Sequence, residues 1–326
     1  MTVYLGKTPV GLGRIVEKKV AKKKYGATVD TFLGDVDANG LLQSPTNPVD
    51  AVFTGVKNIA KNALAYKFQS SNITSLDLSE LESLDYEACC RYMCDNCQFL
   101  TSVNMSNIKR MTEMNTCQSM FNACPNLSHV QLNNLTEIIG TDRGSGASTC
   151  RTMFQLCKSL REIDLNKLET IQGSKACSYM FNGCSALQSV GLASLKMISG
   201  ADYMFSDCDG LTSVDLSSLE TISGYQACYR MFNSCDKLLS INLDNLQLIS
   251  GGAALDYFIA STQISSLSFP SLTSVTTANA MRYMGSSASK LTEIHFRADM
   301  QATIEALTGY SSKFGAPSTC TIYFDL

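Results

Sequence analysis

The residues of this sequence that are most suggestive of chemistry are three closely spaced cysteines. Cys90, Cys94 and Cys97 form a C-x3-C-x2-C run. Three thiolates at this spacing can hold a four-iron cluster, and the CxxC pair by itself would suit a redox centre or half of a zinc site. The run raises the hypothesis of a metal or redox enzyme, which has to be weighed against the other cysteines.

The other cysteines favour a structural explanation. Pairs seven residues apart recur along the chain, at Cys90/Cys97, Cys117/Cys124, Cys150/Cys157, Cys177/Cys184 and Cys228/Cys235, with Ala201/Cys208 as a partial member. Cys94 takes a position that phenylalanine holds elsewhere, at Phe121, Phe154, Phe181, Phe205 and Phe232. Small apolar thiols stacked in a core explain this recurrence, so we predict buried, reduced cysteines and no metal or cofactor.

The segment Asp35–Gly40 matches the opening of a calcium-binding loop, with oxygen-bearing side chains at alternate positions and glycine at the turn. The twelfth position of such a loop needs a bidentate carboxylate, and this sequence has Thr46 there. A polar turn at Asn39-Gly40 is the favoured interpretation. Calcium binding stays open as the alternative.

Nucleophilic catalysis by a Ser-His-Asp or Cys-His arrangement has little support in this sequence. The two histidines, His129 and His295, fall in distant parts of the chain. No glycine-rich phosphate loop follows a predicted strand. We therefore predict that the protein is not an enzyme.

The charge distribution divides the chain into a basic head and a mildly acidic remainder. Of the 26 Lys and Arg residues, seven lie in residues 1–24 against one of the 29 acids, so the remainder carries 19 basic and 28 acidic residues. The lysine run from Lys18 to Lys24 lacks the interleaved aromatics of a nucleic-acid platform, which favours a solvated surface. No apolar run suits a signal peptide or a membrane helix. We expect synthesis in the cytoplasm and no nucleic-acid or membrane partner.

An internal sequence repeat predicts the secondary structure elements that position the cysteines and the other candidate residues. The segment LTSVDLSSLETISGYQACYRMFNSCDK, from Leu211, is echoed from Leu160 by LREIDLNKLETIQGSKACSYMFNGCSA. Related units begin every 24 to 33 residues, at Ile73, Leu100, Leu127, Leu160, Leu187, Leu211, Leu238, Ile264 and Leu291. Such a period indicates a solenoid, in which each unit buries its apolar face only against its neighbours.

Within a unit, the apolar pattern predicts two strands and a short helix. The LxxVxL part from Leu211 alternates as a strand with one buried face, and a second extended piece is expected at Leu219–Ile222. Apolar residues of the ACYRMFNSC stretch, residues 227–235, recur at helical spacing, which predicts one or two helical turns. We thus predict an α/β solenoid over residues 73–296, a right-handed coil of about nine units with parallel short strands and short helices.

Both ends of the solenoid are expected to carry additional segments. Residues 1–50 form a separate basic head suited to attachment, and residues 51–72 are similar to the back half of a repeat without its leading strand. Residues 297–326 predict a helix that ends near Gly309 and then a terminal strand in CTIYFDL. Sealing both edges prevents the end-to-end association that an exposed sheet invites.

The unit L-x-x-V-x-L-x-x-L-x-x-I followed by A-C-x-x-M-F-x-x-C resembles the bacterial surface-antigen (BspA-like) class of leucine-rich repeats, over roughly residues 51–296. The head and tail look like segments that flank such repeats in gut-bacterial and prophage proteins. The resemblance implies a binding or adhesion protein. Surface adhesins of the class usually carry an export signal, which we do not recognise here. One expected setting is a phage tail-associated or receptor-binding component, attached to a virion protein through residues 1–50. The alternative is a cell-surface adhesin exported by a non-classical route.

Two columns and one insertion are the candidate binding surfaces. The strand register places small polar residues outward, at Asp77, Asn104, Gln131, Asp164, Asp215 and Asn242, which suits contact with a protein or surface glycan and a wet structural surface equally. Tyrosines recur before the Met position, at Tyr92, Tyr179, Tyr203, Tyr257 and Tyr283, where half-buried packing is favoured over ligand contact. The excess residues Thr141–Gly146, including Asp142 and Arg143, must bulge from one face. We predict a non-enzymatic recognition or structural protein that presents a rigid surface.

Overall fold

The computed structural model describes residues 59, 61–141 and 148–326 with their side chains. Nearer the start of the chain it describes the backbone of four strands: β1 (Thr2–Lys7), β2 (Lys23–Tyr25), β3 (Val29–Thr31) and β4 (Val49–Thr54). The calcium-loop hypothesis at Asp35–Gly40 and the insertion residues Asp142 and Arg143 fall outside the described residues.

Each described repeat begins with a short strand that runs parallel to the equivalent strand of its neighbours. These nine strands are β5 (Ile73–Asp77), β7 (Ser102–Asn104), β9 (His129–Gln131), β11 (Glu162–Asp164), β13 (Ser189–Gly191), β15 (Ser213–Asp215), β17 (Ser240–Asn242), β19 (Ser266–Phe269) and β21 (Glu293–Phe296). They pair in register within the groups β5–β7–β9, β11–β13, β15–β17 and β19–β21, so that Leu76, Val103 and Val130, for example, lie side by side. We call their outer surface the strand face.

A second strand follows in all but the last of these repeats and forms a continuous eight-stranded parallel sheet. Its members are β6 (Ser83–Leu84), β8 (Arg110–Thr112), β10 (Glu137–Ile139), β12 (Thr170–Gln172), β14 (Met197–Ile198), β16 (Thr221–Ile222), β18 (Leu248–Ile249) and β20 (Ser274–Val275). Ile138, for example, lies between Met111 and Ile171. The predicted parallel solenoid with two short strands per repeat is therefore confirmed.

The third segment of each repeat differs from the prediction, because it is a run of tight turns, and no helix forms in residues 61–141 or 148–297. The amide of Met93 donates to the carbonyl of Cys90 in its own coil (3.1 Å), whereas the amide of Cys94 donates to the carbonyl of Met120 in the next coil (2.8 Å). Every fourth residue adopts a left-handed backbone, as Tyr92 does with φ of 53°. Half of the amides thus bond between coils, which a helix satisfying its own amides would not do. We call this surface, from residues 61–70 to residues 280–287, the turn face.

The core between the strand face and the turn face is a set of stacked side-chain columns. Phe121, Phe154, Phe181, Phe205 and Phe232 are fully buried, and their successive ring centroids lie 5.4 to 5.6 Å apart with nearly parallel planes. Leucine and isoleucine columns from the two strands complete the interior. Each coil therefore covers the apolar surface of the coil before it, as the repeat period required.

Strands close the described solenoid at each end. At the start, β1 pairs antiparallel with β4, and β4 pairs parallel with β5. The half-repeat predicted at residues 51–72 therefore does have a leading strand, and the first strand of the basic head extends the same sheet. The pairing of β4 with β1 and β5 is made by main-chain hydrogen bonds. A pattern of apolar side chains does not report such bonds, so the sequence did not predict this pairing.

The last repeat continues into a cap of short helices and a final strand. A 3-10 turn (Ala298–Met300), the helix α1 (Gln301–Glu305) and a second 3-10 segment (Tyr310–Gly315) lead to β22 (Thr321–Phe324), which pairs parallel with β21. The terminal strand was predicted, and the helix was predicted in the right segment but ends before Gly309. No helix in the described part of the chain is long and apolar enough to cross a bilayer.

Candidate functional site

The cysteines lie where the seven-residue spacing placed them, in buried columns of the core. All 14 are free and buried. Thiols of the second column donate to a carbonyl of the preceding coil, such as Cys184 to Phe154 (3.1 Å) and Cys235 to Phe205 (3.1 Å). Burial raises the pKa of Cys184 and Cys235 to about 12. Thiols held protonated in this way are poor nucleophiles, so Cys184 and Cys235 act as packing.

The polar column of the strand face is occupied largely by bonds to its own backbone. The predicted site residues Asp77, Asn104, Asp164, Asp215 and Asn242 each accept a hydrogen bond at Oδ1 from the amide two residues later, over 2.8 to 3.1 Å. Such Asx turns end these five strands and set the direction of the following chain. Gln131, which lacks this bond, is exposed. These side chains therefore stabilise the turn that follows their strand, a role that was not predicted from the sequence.

A shallow depression of about 420 Å³ lies on the strand face between β15, β17 and β19. Its walls come from serine side chains and from the column of Asp215 and Asn242. Small side chains with one oxygen already bonded offer little contact area. The lining of this depression therefore lacks the aromatic and arginine anchors that dominate protein interfaces.

The turn face carries a continuous run of tyrosines. The predicted members Tyr179 and Tyr203 stack with ring centroids 4.4 Å apart and planes 9° apart. Tyr257 and Tyr283 approach to 5.1 Å. Tyr229, which the sequence reading missed, lies between these pairs, 5.4 Å from Tyr203 and 5.8 Å from Tyr257 in edge-to-face geometry. We call these five residues the tyrosine ridge. Tyr92 stands apart, stacked on Tyr66 at 5.1 Å.

Backbone geometry explains how the ridge projects from the solenoid. Tyr179, Tyr203 and Tyr257 have φ of 58°, 55° and 58°, at the left-handed positions of the turn face. The rings are half-buried against each other, and Tyr283 is 38% exposed. The favoured interpretation of half-buried packing is thus correct for their inner faces, and the outer edges remain open to solvent.

Two arginines reinforce the ridge, and neither was singled out from the sequence. The guanidinium carbon of Arg230 lies 4.6 Å from the ring centroid of Tyr257 and 5.4 Å from that of Tyr229. Arg282 lies 4.7 Å from the centroid of Tyr283 and donates to the Asp256 carboxylate at 2.9 Å. The side chain of Asp256 is 1% exposed, so this ion pair anchors the end of the ridge in the protein.

The two histidines lie on the strand face and have different neighbours. His129 contacts the hydroxyl of Ser128 through Nδ1 at 2.8 Å. His295 contacts Asp325 through Nδ1 at 2.9 Å and stacks on Tyr323 at 4.8 Å. In the residues whose side chains are described, neither histidine meets a cysteine or forms a Ser-His-Asp triad.

The stacked parallel coils define a leucine-rich-repeat protein. Comparison with family models makes this specific: residues 50–143 and 147–290 match the BspA type leucine rich repeat region, in six copies. The chain belongs to this family. Its repeats thus place it among scaffolds whose general role is recognition of a partner.

Solved structures with leucine-rich repeats are similar to this chain at low identity. The leucine rich repeat protein of T. pallidum is 16% identical, with 70% of this chain and 79% of that chain covered and a TM-score of 0.32. The TLR13-ssRNA13 complex is also 16% identical, with 84% of this chain and 39% of that chain covered and a TM-score of 0.32. A search of curated proteins returns no match.

Proposed function

We propose that this protein is a non-enzymatic recognition scaffold that binds a protein partner through the tyrosine ridge. The observation that carries the proposal is the continuous row of five tyrosines backed by Arg230 and Arg282. Tyrosine and arginine are the residue types that most often supply binding energy at protein interfaces. Tyrosine also offers a large amphipathic contact surface at low entropic cost.

Preorganisation supports the ridge over the strand face as the contact surface. The rings are held by stacking and by backbone bonds between coils, so little side-chain freedom remains to be lost on binding. On the strand face, the column of Asp and Asn side chains is engaged in Asx turns. A surface glycan remains the alternative partner for that face, at the depression beside Asp215 and Asn242.

For the biological setting, we propose a phage tail-associated or receptor-binding component, with residues 1–50 attaching to a virion protein and the solenoid displayed outward. The seven basic residues in 1–24, set against an acidic remainder, support an attachment role. An exported cell-surface adhesin is the alternative. In either setting the solenoid is the displayed part. The identity of the partner that binds residues 1–50 distinguishes the phage component from the cell-surface adhesin.

The test is a capture experiment with full-length protein against lysates of phage-producing cells and against intact bacteria. The ridge variant combines Tyr257→Asn, which suits a left-handed backbone, with Tyr283→Ala. The matched control is Tyr323→Ala, an exposed tyrosine on the strand face. We expect the ridge variant to lose about thirtyfold in affinity, the effect of a 2 kcal/mol hot spot, and the control to bind normally.

The outcomes separate the proposals. Equal capture by the ridge variant and the wild-type chain would contradict the ridge as the contact surface. Virion proteins among the captured partners would support the phage setting, whereas binding to intact cells without any virion protein would favour the adhesin. Loss of binding in the Tyr323→Ala control instead would move the contact surface to the strand face.

A further inference from the structure

A polar cleft opens on the turn face beside the first three tyrosines of the ridge. Its volume is about 300 Å³. Arg151, Lys175, Asp202 and Gln226 line it together with these tyrosines. The four side chains come from four successive coils, so the cleft exists only when the solenoid is stacked.

The cleft carries an excess of positive charge. Arg151 and Lys175 contribute two cations, and in the described part of the chain neither forms an ion pair within 4.0 Å. Asp202 contributes one carboxylate, which already accepts a hydrogen bond from the Ser178 hydroxyl. With Asp202 ionised, the three groups sum to one net positive charge.

Hydrogen-bond donors converge on the same space. The guanidinium carbon of Arg151 lies 6.0 Å from the ring centroid of Tyr179, which aligns the two side chains along one wall. Burial raises the pKa of the Tyr179 hydroxyl, so this group remains protonated and can donate. The amide of Gln226 adds a neutral donor and acceptor on another wall.

We propose that this cleft binds the carboxylate of an acidic side chain on the partner protein. The inference rests on the proposed recognition function and deepens it, because it assigns a chemical class to one contact of the ridge. An arginine fork matches a carboxylate in shape, and a single negative charge neutralises the excess of the cleft. A phosphate dianion would leave a net negative charge beside Asp202, and a cation would meet two positive groups.

The direct test compares two ligands that differ in charge and little in shape. Full-length protein labelled at tyrosine carbons is titrated with N-acetyl-glutamate α-amide and with N-acetyl-glutamine α-amide, and the tyrosine signals are followed by NMR. We expect saturable shifts of the Tyr179 and Tyr203 signals with the glutamate compound. The glutamine compound should bind at least about tenfold more weakly, because it lacks the charge-assisted hydrogen bonds.

Variants of the lining residues sharpen the test. Arg151→Gln and Lys175→Gln should each weaken binding of the glutamate compound about tenfold, whereas Asp202→Asn should strengthen it, since a repulsive charge is removed. Lys290→Gln, an exposed lysine on a distant coil, is the matched control and should bind as the wild-type chain does. Thermal unfolding of each variant separates loss of binding from loss of folding.

Three results would overturn the carboxylate assignment: equal binding of both compounds, no saturable binding of either, or tighter binding of inorganic phosphate than of the glutamate compound. The proposed recognition function would survive any of them if the Tyr257→Asn, Tyr283→Ala variant still lost partner capture. Failure of both experiments would remove the tyrosine ridge and its cleft as a binding surface.

Discussion

Replacing alanine by glycine tests whether the turn face is a run of turns or a helix. Ala88, Ala123 and Ala253 have φ of 52°, 54° and 54°, in the left-handed region. Alanine in that region is destabilised by roughly 1–2 kcal/mol, a cost that glycine lacks. Glycine in turn loses roughly 0.5–1 kcal/mol more backbone entropy on folding than alanine does. The balance predicts a stabilisation of roughly 0.5–1 kcal/mol at Ala123, which is half-buried, and close to zero at Ala88 and Ala253, whose buried methyl groups are also lost at about 0.8 kcal/mol each.

A helix would give the opposite sign, because glycine in a helix interior costs about 1 kcal/mol relative to alanine. The assay is urea unfolding of the wild-type chain and of a triple variant carrying Ala88→Gly, Ala123→Gly and Ala253→Gly, followed by circular dichroism. The three sites lie in different coils, so their effects should add to a net stabilisation of about 1 kcal/mol, whereas three glycines in helices would cost about 3 kcal/mol. The midpoint is the quantity to compare, because long repeat arrays need not unfold in one step.

The control for this experiment is Ala176→Gly, a fully buried alanine of the turn face outside the left-handed positions. It should lower the midpoint, since glycine there gains no relief of backbone strain and loses a buried methyl group. A triple variant with a midpoint below that of the wild-type chain would refute the turn geometry. It would also remove the explanation for how the tyrosine ridge projects, because Tyr179, Tyr203 and Tyr257 use the same left-handed positions.

Three further outcomes are expected. Phe181→Ala should destabilise the chain by roughly 3–5 kcal/mol, since Phe181 is fully buried between two stacked rings. The control Phe99→Ala, at a position that is 50% exposed, should change the unfolding midpoint little. Equal effects of the two substitutions would contradict the assignment of Phe181 to the core. Burial raises the pKa of Asp202, so the folded chain holds this proton more tightly than the unfolded chain, and the stabilisation present at low pH is lost as pH rises through the folded pKa. Asp202→Asn should therefore raise the unfolding temperature at neutral pH with a gain that shrinks toward low pH, and a gain that is constant with pH would argue against burial as the cause. Cys184 and Cys235 should react with a thiol reagent only after denaturant is added, and rapid labelling of the native protein would show that these columns are open.

The sequence by itself was sufficient for the solenoid and for its core columns. Phe181 and Cys184 recur at fixed positions of units that repeat every 24 to 33 residues, and only stacked coils bury such columns. The strand register followed from the alternation of apolar and polar residues, which is a local property of each unit. The burial of the cysteines, including Cys94 of the run that suggested a metal site, could therefore be predicted without knowing any contact between coils.

The backbone conformation of the turn face could not be predicted in the same way, because a helix and a run of tight turns would bury the same side chains in the core. The apolar residues of the 227–235 stretch point to the core in either conformation. What separates the two is where the amide protons go, and in this fold they alternate between their own coil and the next. That choice depends on a neighbouring coil at hydrogen-bond distance, which no local pattern reports.

The candidate site depended on tertiary structure for the same reason. In an alignment of the repeat sequences, Arg230 occupies the tyrosine position and Tyr229 lies one residue before it. Coil stacking nevertheless places the Tyr229 ring between those of Tyr203 and Tyr257. The sequence determined which residues each coil contributes to its faces, through the repeat period and the apolar columns. Only the stacked structure decided which of them meet, because those contacts join residues about one coil length apart.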